Sequence, residues 1–179
     1  LPPSRAHAFG ELVGASFAMR QVFAVLEHAA ASDVTVLVEG ETGTGKELAA
    51  RALHEASARR RGPFVAVDCG ALPESLVDSE LFGHVRGAFT GATSDRKGAF
   101  ARARGGTLFL DELDGVPAAV QARLLRALEE RVIRPVGSDR EESLDLRLVV
   151  ASQAPLDARV AEGTFRADLY YRIAVLHLR

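Results

Sequence analysis

One segment of the chain has the residue types that bind phosphate. Between a β-branched apolar run and a helical pattern, it reads Gly40, Glu41, Thr42, Gly43, Thr44, Gly45, Lys46 and Glu47. Glycines let the backbone curl with its N–H groups turned inward, and these donors attract anions together with a helix N-terminus. Lys46 adds a compact positive charge for the β and γ phosphates of a nucleotide. The segment predicts a phosphate-binding loop; the alternative is a glycine-rich turn followed by a surface lysine.

The last position of this loop departs from the common pattern. Ser or Thr usually stands there, and its hydroxyl binds Mg²⁺, whereas this chain has Glu47. Without a hydroxyl, any magnesium contact must differ, for example by passing through water. Only Lys46 and Lys97 are lysines among the 22 Lys and Arg residues. A chain that uses arginine almost everywhere else favours a specific role for Lys46.

Two acids stand at the end of a short apolar strand pattern. Asp111 is the last residue of the pattern 107–111, and Glu112 follows it directly. Ligands of open α/β sheets bind beyond the carboxyl ends of the strands. Asp111 is therefore a candidate to hold a hydrated Mg²⁺ ion, and Glu112 is a candidate to polarise an attacking water. The alternative is a pair of acids in a solvated turn that caps the helix beginning at Pro117.

A third segment places a large aromatic side chain between flexible backbone positions. It consists of Gly87, Ala88, Phe89, Thr90, Gly91 and Ala92. An aromatic ring at a loop tip has little core to pack against, which indicates a contact surface. The alternative, which the residues alone favour, is a turn with the Phe89 ring folded back onto the domain.

Strand and helix patterns alternate around these segments. Strands are predicted at 34–38, 64–68, 107–111, 146–151 and 174–178, and helices after Ser16, after the phosphate loop, at 73–81 and from Pro117. Residues 83–98 read as a loop or a broken hairpin, and residues 135–143 read as a polar loop. This alternation predicts an α/β fold, with a mostly parallel five-stranded sheet and helices on both faces. Buried strands of this kind are continuously apolar, and Arg147 is an exception.

Composition limits the class of protein. The chain has 179 residues, enough for one domain, and its net charge of −2 argues against a free-standing nucleic-acid binder. The single cysteine, Cys69, excludes an internal disulfide, and no apolar run approaches the roughly 18 residues that cross a bilayer. We expect a cytoplasmic protein with no membrane contact. The basic run 59–61 is interpreted as a solvated helix end, with a contact patch as the alternative.

Several motifs in the same order resemble the sigma-54-dependent transcription activators of bacteria. Residues 87–92 spell GAFTGA, the signature of that family, and ELFGH precedes it at 80–84. The phosphate loop in its GETGTGKE form, GGTLFLDE at 105–112 and FRADLYYR at 165–172 are also typical of the family. The resemblance runs from about Phe9 to the end of the chain.

The resemblance implies a domain of the AAA+ class at 10–179, after a linker remnant at 1–9. Such domains form homo-oligomeric rings, usually hexamers, with ATP and Mg²⁺ between neighbouring subunits. Hydrolysis moves the GAFTGA loop against sigma-54, so that the stalled RNA polymerase opens promoter DNA. The resemblance makes 87–92 the sigma-54 contact and 135–143 a second pore-facing loop that supports it. It also makes Arg166 and Arg172 arginine fingers for the next subunit's ATP.

Some positions allow other interpretations or depart from the family pattern. Taken alone, Arg172 is better explained by an ion pair with Asp168 at i, i+4. Asp68 stands where the family usually has a switch Asn, and an ionised Asp cannot donate to Glu112; two close carboxylates raise one pKa. Gln153 stands at the sensor position, where the family usually has Asn. Its side chain is one methylene longer, so the distance from its amide to the γ-phosphate is expected to differ. The turn 113–115 reads Leu-Asp-Gly, where the family has Gly before Asp.

The chain stops at Arg179, before the helical lid that the resemblance implies, so we expect the lid to be absent. No receiver domain or helix-turn-helix accompanies the domain, so DNA is expected to be bound only by a part outside this chain. The expected function is ATP hydrolysis that remodels the sigma-54 closed complex. One alternative is a nucleotide-dependent regulatory module with weak or no hydrolysis, because Asp68 and Gln153 disturb the coupling. Another ATPase target, such as a transporter or a helicase motor, is disfavoured by the intact GAFTGA.

Overall fold

The computed structural model describes residues 1–179, in which strands and helices alternate. In chain order the elements are β1 (Ala8–Phe9), β2 (Leu12–Val13), α1 (Phe17–Ala30), β3 (Val36–Glu39), α2 (Lys46–Ala56), β4 (Phe64–Asp68), α3 (Glu74–Phe82), α4 (Ala99–Arg102), β5 (Thr107–Asp111), a 3₁₀ turn (Leu113–Gly115), α5 (Ala118–Glu130), β6 (Val132–Ile133), β7 (Glu142–Ser143), β8 (Arg147–Ser152), α6 (Leu156–Ala161), α7 (Ala167–Ile173) and β9 (Leu176–Leu178).

Five strands form one sheet in the order β4-β5-β8-β3-β9, and every neighbouring pair is parallel. The predicted α/β class and five-stranded parallel sheet are therefore confirmed. Every residue of β3 and of β8 is buried, as expected for strands covered on both faces. Because all five strands run the same way, the segments that follow β3, β4, β5 and β8 meet at one edge of the sheet.

Helices cover both faces of this sheet. Alternate residues of β3 enter two separate apolar clusters, with Leu37 in one and Val36 and Val38 in the other. The cluster around Leu37 includes side chains of α3, α4, α5 and α7, and the other includes side chains of α1 and α2. The sheet thus forms the middle layer of three, which fixes its carboxyl edge relative to the helices.

Arg147, the exception to the apolar pattern of β8, is fully buried. Its Nη2 donates a hydrogen bond to Ala29 O at 2.8 Å, at the last turn of α1, where the helix dipole favours a cation. Burial lowers the pKa of this guanidinium to about 10, and its Nε and Nη1 have no protein partner. The charged side chain of Arg147 therefore lies inside the sheet layer and donates a hydrogen bond to the C-terminal turn of α1.

Several predicted boundaries differ from the observed ones. β3 begins at Val36 rather than 34, and β9 begins at Leu176 rather than 174. The predicted loop 135–143 is wrong at its end, because β7 pairs there with β6 as an antiparallel hairpin. The short helices α4 and α6 were not predicted. Two-residue strands and helices of one or two turns are too short to show a period.

The remaining sequence interpretations of local structure have mixed outcomes. Ser16 caps α1 as predicted, since its Oγ accepts from Met19 N at 3.2 Å. The basic run 59–61 lies beyond the end of α2, and Arg59 pairs with Asp33 and Asp145 at 2.8 and 2.9 Å. That run is therefore not a helix end, and one of its charges is neutralised.

The first residues of the chain contact the domain. Ser4 is buried and its Oγ donates to Glu27 of α1 at 2.7 Å, and β1 pairs with β2. The boundary between a linker at 1–9 and a domain at 10–179 stays a prediction. No helix of the chain has the length and apolar character needed to span a bilayer.

Candidate functional site

The phosphate loop connects β3 to α2, so it lies at the carboxyl edge of the sheet. Gly43 and Gly45 have φ of +82° and +90°, a conformation that side-chain-bearing residues resist. The loop therefore curls because glycines occupy its bends, and it delivers the chain to the N-terminus of α2. Thr44 Oγ1 donates to Glu41 O at 2.8 Å, which braces the curl from inside.

Lys46 is the first residue of α2 and only 9% exposed. Its Nζ donates to Gly40 O at 2.8 Å and to Glu41 O at 3.0 Å, so the ammonium lies against the loop. Glu47, the departure from the common pattern, pairs along α2 with Arg51 at 2.7 Å. The lysine thus belongs to the loop, while the carboxylate of Glu47 is turned towards the helix surface.

The structure brings the loop and the two acids at the end of β5, Asp111 and Glu112, to one cleft of about 270 Å³. Its lining includes Thr42, Gly43, Gly45, Lys46, Glu47, Asp111 and Glu112. Asp111 Oδ1 accepts the N–H of Glu112 at 2.8 Å, which orients the turn after β5. The cleft therefore combines the ammonium of Lys46 with the carboxylates of Asp111 and Glu112 at the sheet edge, while the third acid of the lining, Glu47, is paired with Arg51.

Glu112 has an unusual backbone, with φ +53° and ψ +43° in the left-handed region. Such a conformation costs free energy for a residue with a Cβ, and it occurs where the surrounding structure imposes it. The carboxylate of Glu112 passes over Gly70, because a Cβ on Gly70 would lie 1.6 Å from Glu112 Oε2. Gly70 is a site residue that sequence reasoning missed, since a glycine after a strand has many ordinary explanations.

Asp68, at the end of β4, directs one oxygen to the backbone. Its Oδ1 accepts from Gly70 N at 3.0 Å and Ala71 N at 3.1 Å, a turn that Asp commonly forms. Its negative charge is nevertheless the main cause that raises the pKa of Glu112, ahead of burial and the charge of Asp111. The repulsion expected from two close carboxylates is thus present beside the candidate catalytic acid.

Gln153 follows β8 and reaches the phosphate loop. Its Nε2 donates to Thr42 Oγ1, and its backbone N–H donates to Asp114 Oδ1 at 3.4 Å. Through this hydrogen bond, Asp114 links the turn after Glu112 to the segment after β8. The sequence alone did not indicate a role for Asp114.

A second cavity of about 230 Å³ lies on the other side of the phosphate loop. Leu12, Met19, Val22 and Leu178 give it an apolar wall beside Gly40 and Gly45. Sequence reasoning missed this pocket, because Met19 and Val22 read only as the apolar stripe of α1. Its position next to a phosphate loop and its apolar wall suit a flat nucleobase.

A buried carboxylate closes one end of this second cavity. Glu39 Oε2 lies 2.7 Å from His177 Nε2 and accepts from Arg179 Nε at 2.8 Å, while its Oε1 accepts from Leu156 N. These bonds tie β3, β9 and α6 together directly before the phosphate loop. The sequence showed a lone acid at a strand end, with no sign of its partners.

The candidate fingers do not lie in the cleft of their own chain. Arg166 pairs with Asp168 at 2.8 Å, and Arg172 Nη2 donates to Leu128 O at 2.9 Å. The alternative ion pair between Asp168 and Arg172 is therefore wrong, since Asp168 uses Arg166 instead. Arg166 directly precedes α7 and Arg172 lies near the end of that helix. Neither arginine lines the cleft beside the phosphate loop.

The segment 87–92 forms a loop closed by Gly87 N donating to Ala92 O at 2.8 Å. Phe89 is 39% exposed, and its ring lies edge-on to His84 with centroids 4.9 Å apart. The segment 135–143 touches this loop, because Val136 exchanges backbone bonds with Gly83 and Val85. The ring is thus partly folded back, yet a substantial part of it faces solvent.

A parallel sheet in this order, a phosphate loop after β3 and the acid-terminated strand β5, which is separated from β3 by β8, define the fold of a P-loop NTPase core. The Sigma-54 interaction domain family matches residues 12–179, nearly the whole chain. The chain belongs to this family, and the resemblance carried by its motifs is confirmed.

Individual relatives agree with this assignment. The chain is 55% identical over 150 residues to the transcriptional regulatory protein GlrR of Escherichia coli K12, covering 84% of the chain and 34% of GlrR. It is 53% identical over 167 residues to the Nif-specific regulatory protein of Herbaspirillum seropedicae, covering 93% of the chain and 31% of that protein. The chain thus spans about a third of the length of these curated relatives.

Two solved structures show the same fold. NtrX from Brucella abortus in complex with ATP superposes with a TM-score of 0.86 at 36% identity, covering 94% of this chain and 36% of NtrX. The P-loop NTPase domain of a sigma-54 transport activator from E. coli has a TM-score of 0.62 at 23% identity, covering 93% and 96% of the two chains, and supports the fold alone.

Proposed function

We propose that this domain hydrolyses ATP and uses the hydrolysis to remodel the closed complex of sigma-54 RNA polymerase, so that promoter DNA opens. The proposal rests on one observation. This member of the Sigma-54 interaction domain family has both a phosphate cleft and a GAFTGA loop whose Phe89 is exposed. DNA is bound by another part of the regulator, and the domain acts in the cytoplasm.

ATP fits the two cavities that flank the phosphate loop. A Cβ on Gly43 would meet nothing within 4 Å, so the curl is open to a polyphosphate chain. The backbone N–H groups at the start of α2 and the ammonium of Lys46 would hold the phosphates. The apolar cavity beside Leu12 and Leu178 would hold the base. The ATP named in the NtrX structure supports this choice of nucleotide.

A carboxylate in the cleft also suits Mg²⁺. Asp111 offers oxygen ligands, which this ion prefers, and Glu47 is turned towards Arg51. We therefore assign the ion to Asp111 and water, without a loop hydroxyl. Bound Mg²⁺ would neutralise charge on the phosphate oxygens. Glu112, one residue further, would orient and polarise the attacking water.

Ring assembly would complete the site. Arg166 and Arg172 lie outside the cleft of their own chain, and Arg166 is half exposed. We propose that they reach the ATP of a neighbouring subunit in a homo-oligomeric ring, usually hexameric in this class. An arginine finger supplied by a partner is worth roughly 10³ to 10⁵ in rate.

A regulatory module that binds ATP and hydrolyses it poorly is the second candidate. The charge of Asp68 disfavours ionisation of Glu112, and Gln153 contacts the loop residue Thr42. Both differences from the family pattern act on residues that line the phosphate cleft, Glu112 and Thr42, so they are the residues that would weaken hydrolysis.

Steady-state ATP hydrolysis by the full-length regulator, measured against protein concentration, separates the two candidates. A steep rise of specific activity with concentration is expected for a ring with fingers supplied between subunits. ATP binding without turnover at any concentration would favour the regulatory module. Replacement of Asp68 and Gln153 by Asn should then restore turnover.

The GAFTGA loop is tested separately by Thr90→Ala. This variant should hydrolyse ATP at close to the wild-type rate and lose binding to sigma-54 in the presence of a transition-state analogue. Thr93→Ala, at an exposed position just outside the hexapeptide, is the matched control and should bind normally. Normal sigma-54 binding by Thr90→Ala would disprove the loop's assignment.

A further inference from the structure

The base of the GAFTGA loop is built around one residue, His84. Its backbone N–H donates to Arg96 O at 3.0 Å and its carbonyl accepts from Arg96 N at 2.8 Å, so the two sides of the loop are joined there. The neighbouring residue Val85 donates to Val136 O at 3.1 Å, and Val136 donates to Gly83 O at 2.8 Å. His84 thus lies between the returning side of the loop and the segment 135–143.

The imidazole of His84 is held from the side of α3. Its Nδ1 lies 2.6 Å from the hydroxyl oxygen of Ser79, a residue that is only 5% exposed. A hydrogen bond to a buried hydroxyl on a helix leaves the ring little freedom to rotate. The imidazole ring therefore keeps one orientation at the base of a loop that is otherwise rich in glycine.

Phe89 rests on this fixed surface. The two rings lie 4.9 Å apart with an interplanar angle of 71°, the edge-on arrangement that aromatic pairs favour. Phe89 remains 39% exposed, so the contact covers one part of its ring and presents the rest. The neighbouring Ala88 is backed by Gly137, where an added Cβ would lie 2.7 Å from Ala88 Cβ.

We propose that His84 is a positioning residue for the Phe89 ring. Anchored by Ser79, its imidazole holds the ring at one orientation on the loop, so that the exposed part meets its protein partner without first losing rotational freedom. The proposal rests on the proposed function in one respect, that the partner is sigma-54. The orientation of Phe89 itself is a property of this chain alone.

The orientation can be measured without the partner. A 4-fluorophenylalanine placed at position 89 of the full-length regulator reports the ring's surroundings by ¹⁹F NMR. His84→Ala should shift this resonance and narrow it as the ring gains motion, while His28→Ala, at an exposed position on α1, should leave it unchanged. A spectrum of His84→Ala identical to that of the parent would overturn the proposal.

Ser79→Ala is a milder variant for the case in which His84→Ala fails to fold. It removes the hydroxyl that anchors the imidazole and leaves both rings in place. It should move the same resonance in the same direction by a smaller amount. An unchanged resonance in this variant would show that the hydroxyl does not fix the imidazole, which also overturns the proposal.

Binding to sigma-54 then tests the consequence for function. His84→Ala should weaken binding by roughly 2- to 10-fold, the range expected for one lost edge-on aromatic contact, with ATP hydrolysis unchanged. In a Phe89→Ala background the same change should cost nothing further, because His84 acts through that ring. Weak binding of Phe89→Ala with normal binding of His84→Ala would overturn the positioning role. Normal binding of both variants would instead overturn the proposed function of the loop.

Discussion

Single residues of the cleft set a balance between one cation and several anions. Lys46 faces a site bordered by Asp111 and Glu112, with Asp68 and Asp114 close enough to raise the pKa of Glu112. Lys46 is the cation that opposes this shift. A nucleotide phosphate would add further negative charge, so the ammonium is the residue on which binding depends most.

Replacing Lys46 by Ala is expected to weaken ATP binding by roughly 100-fold or more. The ammonium would donate charge-assisted hydrogen bonds to the phosphates, and such bonds contribute roughly 1.5–3 kcal/mol each. Isothermal titration with ATP measures the effect. Lys97→Ala, which changes the only other lysine, is the control and should bind like the parent. Equal ATP affinity in the Lys46 variant would contradict the assignment of the phosphate loop.

Replacing Asp68 by Asn is expected to move the acidic limb of the pH–rate profile to lower pH. In the proposed mechanism, hydrolysis needs ionised Glu112, whose pKa is raised above its usual 4.5 mainly by the charge of Asp68. Asn keeps an oxygen for the N–H groups of Gly70 and Ala71 and removes the charge. Hydrolysis rates measured from acidic to neutral pH give the shift, and Asp139→Asn, at an exposed position, is the control. An acidic limb that stays in place would exclude Asp68 as the cause.

The same substitution has a consequence for stability with a definite sign. A raised carboxyl pKa means that the folded state keeps a proton that the unfolded state has already lost. The free energy of unfolding therefore falls as the pH rises from the unfolded to the folded pKa of Glu112. In Asp68→Asn this fall should be smaller, which urea unfolding at a series of pH values can measure.

Among the elements, the junction of α3 and α4 determines where the GAFTGA loop leaves the domain. Gly83 ends α3 with φ +77°, and a Cβ on Gly98, just before α4, would lie 2.2 Å from Gly83 N. The two backbones therefore cross in direct contact beneath the loop. Glu80 reinforces the crossing, since it accepts from Arg96 and from Arg102 at 2.5 Å each.

Gly98→Ala is expected to lower the free energy of unfolding by about 1–3 kcal/mol, because the methyl group would overlap backbone atoms that cannot move aside easily. Gly115→Ala is the matched control, since a Cβ there would meet nothing within 4 Å. It should change stability by no more than about 0.5 kcal/mol. Urea unfolding of both variants compares them, and equal midpoints would show that the crossing tolerates a side chain.

At the level of the whole molecule, the cleft and the candidate fingers lie on separate parts of one chain. Arg166 is engaged with Asp168, an exposed pair of the kind that solvent screens and that contributes little to stability. Such a weak pair can be exchanged for a stronger one with phosphate when a neighbouring subunit presents its cleft. A ring would then be needed for activity, although each chain folds around its own core.

Mixing two inactive variants tests this arrangement. Lys46→Ala keeps its fingers and Arg166→Ala keeps its phosphate loop, so a mixed ring places an intact finger against an intact cleft at some interfaces. Hydrolysis should reappear on mixing, at a fraction of the wild-type rate set by the proportion of such interfaces. If the mixture stays as inactive as either variant alone, Arg166 does not act on a neighbouring subunit.

The elements of this fold could be predicted because their causes are local. The apolar runs of β3 and β5, the glycines of the phosphate loop and the cap at Ser16 each act over a few neighbouring residues. Since parallel strands end at one edge, the meeting of the phosphate loop with Asp111 and Glu112 also followed from the order of the elements. The short elements α4, α6 and β7 had no such pattern.

The tertiary structure alone decided which groups the polar side chains contact. Asp168 could have paired with Arg172 at helical spacing, but the backbone at the start of α7 brings Arg166 to it. Gln153 and Thr42 are 111 residues apart and meet because their strands are neighbours in the sheet. The Phe89 ring lies on His84 because a second loop and α3 hold that histidine in place. Hydrogen bonds and ring contacts act over a few ångströms, and only packing sets which distant residues come that close.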